Sequence, residues 1–560
     1  MAAISGGELV VRMLVRAKVE TVFALHGAHV DTIFQACADH GIAIVDTRHE
    51  AAAGHAAEGY ARSLRTLGVA LVTAGPGLTN IVTSMANAFA DRTPVLYLSG
   101  AAGLGEAETN GLQSQIDLTD IARPVTKWAH RVGVTQDIPR LMAQAIRTAT
   151  SGVPGPVMLE LPADILRATV DEDSVRIPRT IGIEAAPAPR RQDVAAAIDL
   201  LLGAKRPLVM VGDGAWYAGA GGVLREFVEV AGIPVFSDFQ AHGLLPGDHP
   251  LYGGTFHKLA DFAAPGERPD VVLAVGARFG LFTLGVSDRI VPLSATLIHV
   301  EADPREIGRV MDAALAIAAD PRETLRALAG EAKARAWPGF HGWQDAVRQA
   351  KENRRRRLTE AAGRGAGPLH PYLAVSAIVE NLDEDTIVVG DGAESYAWLN
   401  EVVSRRCAGS YLTHGFLGAM GIGLGLALGA QAAHRSRRVL CVTGDGAIGF
   451  TIAEFDTMVR HGLPVVVVVM NNRSWGASRH YQEANSAQKR IVATALGNAS
   501  YDRVAAGFGC HAQHVSRIEE LGPALRAAFA SGMPACIDVA IDPAPIPPEL
   551  LLMRARTAAY

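Results

Sequence analysis

Short apolar runs alternate along the whole chain with longer stretches in which apolar residues recur every three or four positions. The short runs read as strands buried on both faces, and the longer stretches as helices that cover them. Strands are expected at residues 69–73, 95–99, 208–211, 271–275, 386–389, 439–443 and 465–470. This alternation predicts an α/β fold class built from doubly wound parallel sheets. The strands gather into three groups. Two segments interrupt the periodicity, the Pro/Ala-rich 183–189 and the charged, Gly-rich 351–368, and both read as linkers. Domains are therefore expected at 1–182, 183–345 and 346–560, the last including its linker.

Length agrees with three units, because 560 residues exceed what one hydrophobic core supports. A net charge of −5 and the lack of a basic stripe interleaved with aromatics argue against a nucleic-acid partner. The clearest basic run, 354–357, falls in the expected linker. Cysteines at 37, 407, 441, 510 and 536 form no CxxC pair, so neither a zinc site nor a disulfide framework is expected, and a reduced cytoplasm fits. The N-terminus opens an amphipathic helix rather than a signal peptide, and no long uncharged apolar stretch carries membrane flanks. A soluble, cytoplasmic protein is expected.

The sharpest chemical signal is Gly444-Asp445-Gly446 after the strand VLCVT, followed by Asn471-Asn472 at the end of VVVVVM. Both lie at carboxyl ends of strands, where α/β sheets bind ligands. Mg²⁺ prefers near-octahedral oxygen ligands. Asp445, the Asn472 side-chain oxygen and a backbone carbonyl near Ser474 would supply three, and a diphosphate two more. The residues that follow, AIGFTIAEFDTMVRHG, are expected to form a helix whose N-terminus faces the anion. A second Gly-rich strand-to-helix turn, 74–77, hints that the first and third domains are diverged copies of one unit.

This fingerprint resembles that of thiamine-diphosphate enzymes. The resemblance predicts an activating glutamate at a strand end in the first domain, and Glu50 stands there in TRHEAAAGHAAEGYAR. At that place a carboxylate would hydrogen-bond N1′ of the aminopyrimidine. Within the family, GGELVVRMLVRAKVETVFALHGAHVDTIFQAC, GVALVTAGPGLTN, TKWAHRV, VTGDGAIGF, MNNRSWGA and PACIDVAIDPAPIPPE look like the benzaldehyde lyases, over nearly the full length. Acetolactate synthases share the glutamate and the metal fingerprint but lack HGAH and this C-terminal pattern.

The resemblance implies roles residue by residue. Glu50 becomes the cofactor activator, and Asp445, Asn472 and Ser474 the Mg²⁺ ligands, flanked by Gly444, Gly446 and Ala447. Gly390, Ala393, Glu394, Ser395 and Tyr396 match the loop that holds the diphosphate. Gly418 matches the carbonyl that engages the aminopyrimidine, and Met420 the apolar wedge behind it. Ala28, His29, Leu112, Gln113, Ala477, Tyr481 and Tyr396 match the substrate side, where His29 and Gln113 would relay a proton. His26 reads as structural. Two positions depart from the pattern: Ala163 stands where a tryptophan is expected, and Tyr481 where a phenylalanine is. Losing an indole opens space and removes an aromatic wall, which weakens the case for an aryl-specific pocket.

The implied activity is a lyase and carboligase of 2-hydroxy ketones (acyloins such as benzoin) and aldehydes, using thiamine diphosphate and Mg²⁺. A homodimer is the minimum and a homotetramer the expected assembly, because the family splits Glu50 and Asp445 across a subunit interface. The alternatives are an acetolactate-synthase-like carboligase, a 2-oxo-acid decarboxylase, a 2-hydroxyacyl-CoA lyase, and, outside catalysis, a silent cofactor-binding assembly protein. Nucleotide binding by the central domain stays open.

Overall fold

The computed structural model describes residues 3–106, 108–109, 112–113, 115–183, 186–262, 267–280, 283, 288–363, 368–405, 407–486 and 490–557. Three six-stranded parallel sheets, each flanked by helices, follow one another along the chain. Their strands are rich in Val, Ile and Leu, and the four inner strands of each sheet are almost wholly buried, as a sheet covered on both faces requires.

The first sheet runs Ala43–Asp46, Thr21–Ala24, Gly68–Val72, Val95–Ala101, Val157–Pro162, Trp128–Arg131. The third runs Tyr411–Thr413, Ile387–Gly390, Val439–Gly444, Val466–Asn471, Ala535–Ala540, His511–Val515. Counted in chain order, both read second, first, third, fourth, sixth, fifth. That identity of topology is what two copies of one unit would share, as the paired Gly-rich turns hinted. The central sheet differs, with the order Tyr252–Thr255, Val235–Ser237, Pro207–Val211, Val271–Val275, Thr296–Glu301, Leu315–Ala318. It is the order of dinucleotide-binding sheets, whose crevice opens between Pro207–Val211 and Val271–Val275. At that crevice the Arg278 guanidinium bridges Asp213, at 2.5 Å, and the Ala90 carbonyl of the first domain, at 2.7 Å.

The first and third domains share a core. Helix Glu50–Leu64 lies along helix Gly423–Ala433, and their Ala and Leu side chains join one apolar cluster. The approach is close enough that a Cβ on Gly59 would strike the Leu426 carbonyl, and one on Gly429 the Ala56 carbonyl. Glycine alone permits this packing.

Two expectations need correction. Much of 351–368 is not a loop, since one helix spans His341–Ala362 and the boundary expected at 345 falls inside it. Its basic run winds around the helix: Arg354 is buried and paired with Glu401 and Asp261, while Arg355, Arg356 and Arg357 are exposed. Here charge density marks an ion-paired helix and not a linker. The helix expected after Gly446 is also broken. It forms Asp445–Ile448 and Glu454–Arg460, joined by three-residue turns, and Thr451 Oγ1 donates to the Gly421 carbonyl between them. Among the described residues all five cysteines are free, and no helix is long and apolar enough to cross a membrane.

Candidate active site

Two clusters of the expected residues form, each at the carboxyl edge of its own sheet. In the third domain, strand Val439–Gly444 delivers Asp445 and strand Val466–Asn471 delivers Asn472. The Ser474 amide donates to Asp445 Oδ2 at 3.1 Å and to Asn472 Oδ1 at 3.0 Å, so both oxygens gather at one point. Arg473 between them adopts a left-handed conformation, φ 57°, which makes the turn tight. Asp445 is buried, and burial pushes its carboxyl up to about 6, partly offset by backbone N–H groups of Ser474, Gly446 and Arg473. A buried carboxylate beside an amide oxygen, with no cation paired to it among the described residues, suits a hard metal ion.

A cavity of about 110 Å³ opens beside this point. Ala393, Glu394, Ser395, Met420, Gly444, Asp445, Gly446, Ala447, Asn472, Ser474 and Ala477 all contribute to its wall. The N-terminus of helix Glu394–Val402 lies at the same cavity, a favourable setting for an anion. Asp391, fully buried, braces the site. Its Oδ1 accepts from the Gly392 and Gly421 amides and its Oδ2 from the Gly423 amide and Thr443 hydroxyl, tying the diphosphate-type loop to the segment that carries Gly418 and Met420. The residues present thus fit a metal-bound diphosphate.

Four expected members lie outside that wall. Gly390 ends its strand under the Tyr411 hydroxyl. Tyr396 is buried away from the cavity, its hydroxyl donating to Glu549 Oε1 at 2.8 Å. Tyr481 is 53% exposed on helix Gly476–Asn485. Gly418 holds φ 69° in open surroundings.

The second cluster belongs to the first domain. Glu50 is buried at the N-terminus of its helix, where the dipole favours the anion. Asn80 Nδ2 donates to its Oε2 at 3.0 Å, and no partner within the described residues takes Oε1. His29 follows Ala28 in a single turn after strand Thr21–Ala24, and its Nδ1 meets Thr73 Oγ1 at 3.1 Å. Burial, and then the charge of Arg167, hold this imidazole below its ordinary range. Gln113 is itself left-handed, φ 64°, and packs on Gly75 where any larger residue would collide. Leu112 beside it is 71% exposed, and Ala163 is buried at the start of helix Ala163–Arg167. His26 pairs with Asp31 on the surface, in keeping with a structural part.

Sequence reasoning missed Thr73, Asn80, Arg167 and His480. Thr73 follows a strand end in VTAGPG and was within reach of that logic. Asn80 lies 30 positions from Glu50 on another helix, a pairing that only the fold creates.

Three family profiles match in chain order. The thiamine pyrophosphate enzyme N-terminal TPP binding domain covers residues 4–121, the central domain 194–328, and the C-terminal TPP binding domain 391–539. The chain belongs to the thiamine pyrophosphate enzyme family, and its cofactor is thiamine diphosphate with Mg²⁺ as the family's usual metal. It is 34% identical over 538 residues to an acetolactate synthase large subunit of Mycobacterium tuberculosis, covering 96% of each chain. Acetolactate synthase isozyme 2 large subunit of Escherichia coli is 30% identical over 550 residues, again 96% of each. Oxalyl-CoA decarboxylase of Escherichia coli is 30% identical over 548 residues, 96% of this chain and 95% of that one. None of these three is a benzaldehyde lyase, so the comparisons support the family and not that finer likeness.

Proposed function

We propose that the chain is a thiamine-diphosphate-dependent lyase and carboligase that forms and cleaves 2-hydroxy ketones, with aldehydes as its other substrates. The observation that carries the reading is the pair of His29 and Thr73 at 3.1 Å, with a second neutral group, Gln113, packed on Gly75 two residues after Thr73. Burial and Arg167 keep the His29 imidazole neutral at pH 7, so it can accept a hydroxyl proton and return it. Aldehyde addition and its reverse need such two-way transfer. Bound thiamine diphosphate supplies the electron sink that lets a carbonyl carbon act as a nucleophile. Asp445, Asn472 and the Ser474 carbonyl would hold Mg²⁺, and the amides around Ala393, Ser395 and Ala447 the diphosphate. Met420 would support the aminopyrimidine, and Glu50 would hold a proton at Oε1 opposite it. None of Ala28, His29, Glu50 or Gln113 lines the third-domain cavity of the same chain. That separation supports a site completed by a second copy, hence a homodimer at least and a homotetramer as the expected assembly.

A second reading, acetolactate-synthase-like condensation or 2-oxo-acid decarboxylation, has the names of the relatives and one structural observation in its favour. Arg167 donates to the Ala28 carbonyl at 3.4 Å, near enough to His29 to perturb it, and pairs with no carboxylate among the described residues. It could take a substrate carboxylate. The deciding experiment incubates purified protein, thiamine diphosphate and Mg²⁺ with benzaldehyde, aliphatic aldehydes, pyruvate or an acyl-CoA, and identifies the products. Acyloins from aldehydes alone are expected. Acetolactate or acetaldehyde from pyruvate, lost in Arg167→Met, with no product from aldehydes, would establish the second reading instead.

A further inference from the structure

Glu394 places a carboxylate in the wall of a cavity that suits an anion, and its partners explain why it is tolerated. Its Oε1 meets His480 Nδ1 at 2.5 Å, while the other ring nitrogen of His480 meets the Pro543 carbonyl at 2.9 Å. A carbonyl and a carboxylate both accept, so the ring donates from both nitrogens and balances the charge of Glu394. His480 is buried, and the pair is shielded from solvent. Gly476 makes room for it, because a Cβ there would strike Glu394 Oε2.

The remaining oxygen of Glu394 is committed as well. Asn472 Nδ2 donates to Oε2 at 3.4 Å, and the Asn472 amide has only one other end. Its Oδ1 is thereby turned toward the Ser474 amide and Asp445 Oδ2. Inverting the amide would set Oδ1 against a carboxylate and Nδ2 against an N–H, two repulsions in place of two hydrogen bonds. Glutamate at 394 therefore decides which atom of Asn472 faces the cation.

We infer that Glu394 is a positioning residue: it aims the Asn472 oxygen at Mg²⁺ and, through His480, ties the metal loop to helix Gly476–Asn485, which carries Ala477 and Tyr481. This rests on the reading of Asp445 and Asn472 as metal ligands. It replaces a direct diphosphate contact by Glu394 with one made through its neighbours. A single carboxylate thus serves both the metal loop, through Oε2, and the substrate-side helix, through Oε1.

The test is equilibrium dialysis of thiamine diphosphate against the full-length protein at stepped Mg²⁺ concentrations. Glu394→Ala should raise the Mg²⁺ needed for half-maximal retention by about 10- to 100-fold, the usual effect of losing a ligand's orienting partner. Glu394→Gln, which keeps an acceptor for Asn472, should recover most of that loss. His480→Ala leaves the Asn472 bond in place, so its half-saturation should stay within about threefold of the parent while KM for the substrate rises. If Glu394→Ala does not fold, Glu394→Gln and Glu394→Asp are compared in its place, and a Gln variant weaker than Asp by tenfold or more in Mg²⁺ overturns the amide argument. Unchanged Mg²⁺ dependence in Glu394→Ala, alongside lost retention in Asp445→Ala, would overturn the inference alone. Unchanged retention in both would instead remove the metal reading beneath it.

Discussion

Replacing Glu50 by glutamine keeps its size and its bond from Asn80 but removes the acid that would share a proton through Oε1. The variant should bind thiamine diphosphate normally and exchange the cofactor's C2 proton far more slowly, as followed by NMR in D₂O. Exchange at the parent rate would free Glu50 from that role. Ala163 poses a different question, because it is buried where the resemblance expects an indole. Ala163→Trp should favour benzaldehyde over bulkier or aliphatic aldehydes by about 1–3 kcal/mol in relative kcat/KM. A ratio that stays put, or moves the other way in a folded variant, would exclude residue 163 as a determinant. Asp445 and Asn472 stood out in the chain because each follows a strand end at a recognisable spacing, whereas Glu50 was singled out only through the family resemblance. Glu394 was legible only as a loop member. Its bonds to His480, 86 positions away, and to Asn472, 78 positions away, depend on how two helices and a strand end converge, which no local pattern records.

At the scale of elements, helices Glu50–Leu64 and Gly423–Ala433 join the first and third domains along one close seam. Gly429 has no room for a side chain against the Ala56 carbonyl. Gly429→Val should push the helices apart and cost about 1–3 kcal/mol or more, read as a lower midpoint in urea unfolding. Retained stability would mean that the seam relaxes at little cost. Strands were the elements most readily foreseen, since an apolar run such as 466–471 has few other places to go than a covered sheet. Helix His341–Ala362 was hidden for the opposite reason. Its sequence is polar nearly throughout, and what buries Arg354 is a carboxylate pair contributed by residues 261 and 401. Likewise the break after Ile448 arises from the Thr451 bond to the Gly421 carbonyl, a tertiary tie that periodicity does not report.

Across the whole molecule, the domains meet at a buried ionic junction. Asp91 lies fully buried beside Glu58 and Arg62 and accepts from the Phe416 amide at 2.8 Å, so it links the first and third domains. Burial first, and the charge of Glu58 second, push its carboxyl up to about 7. Because the folded form keeps this proton between the unfolded value near 3.8 and about 7, stability should fall as pH rises through that window. Asp91→Asn should remove a slope of at most about 1.4 kcal/mol per pH unit, so the variant gains on the parent from pH 4 to pH 7. Parallel stability curves would show that Asp91 ionises alike in both states. The distance between the two residue clusters within one chain has a genetic consequence. If each site draws Glu50 from one copy and Asp445 from another, then Glu50→Gln and Asp445→Ala are complementary lesions, and neither homodimer has a working site. When the two inactive proteins are unfolded together and reassembled, half the dimers are mixed, and each mixed dimer pools both lesions in one site while leaving the other whole. Two dead proteins should thus return about a quarter of the parent activity on mixing, whereas sites contained within single chains would return none.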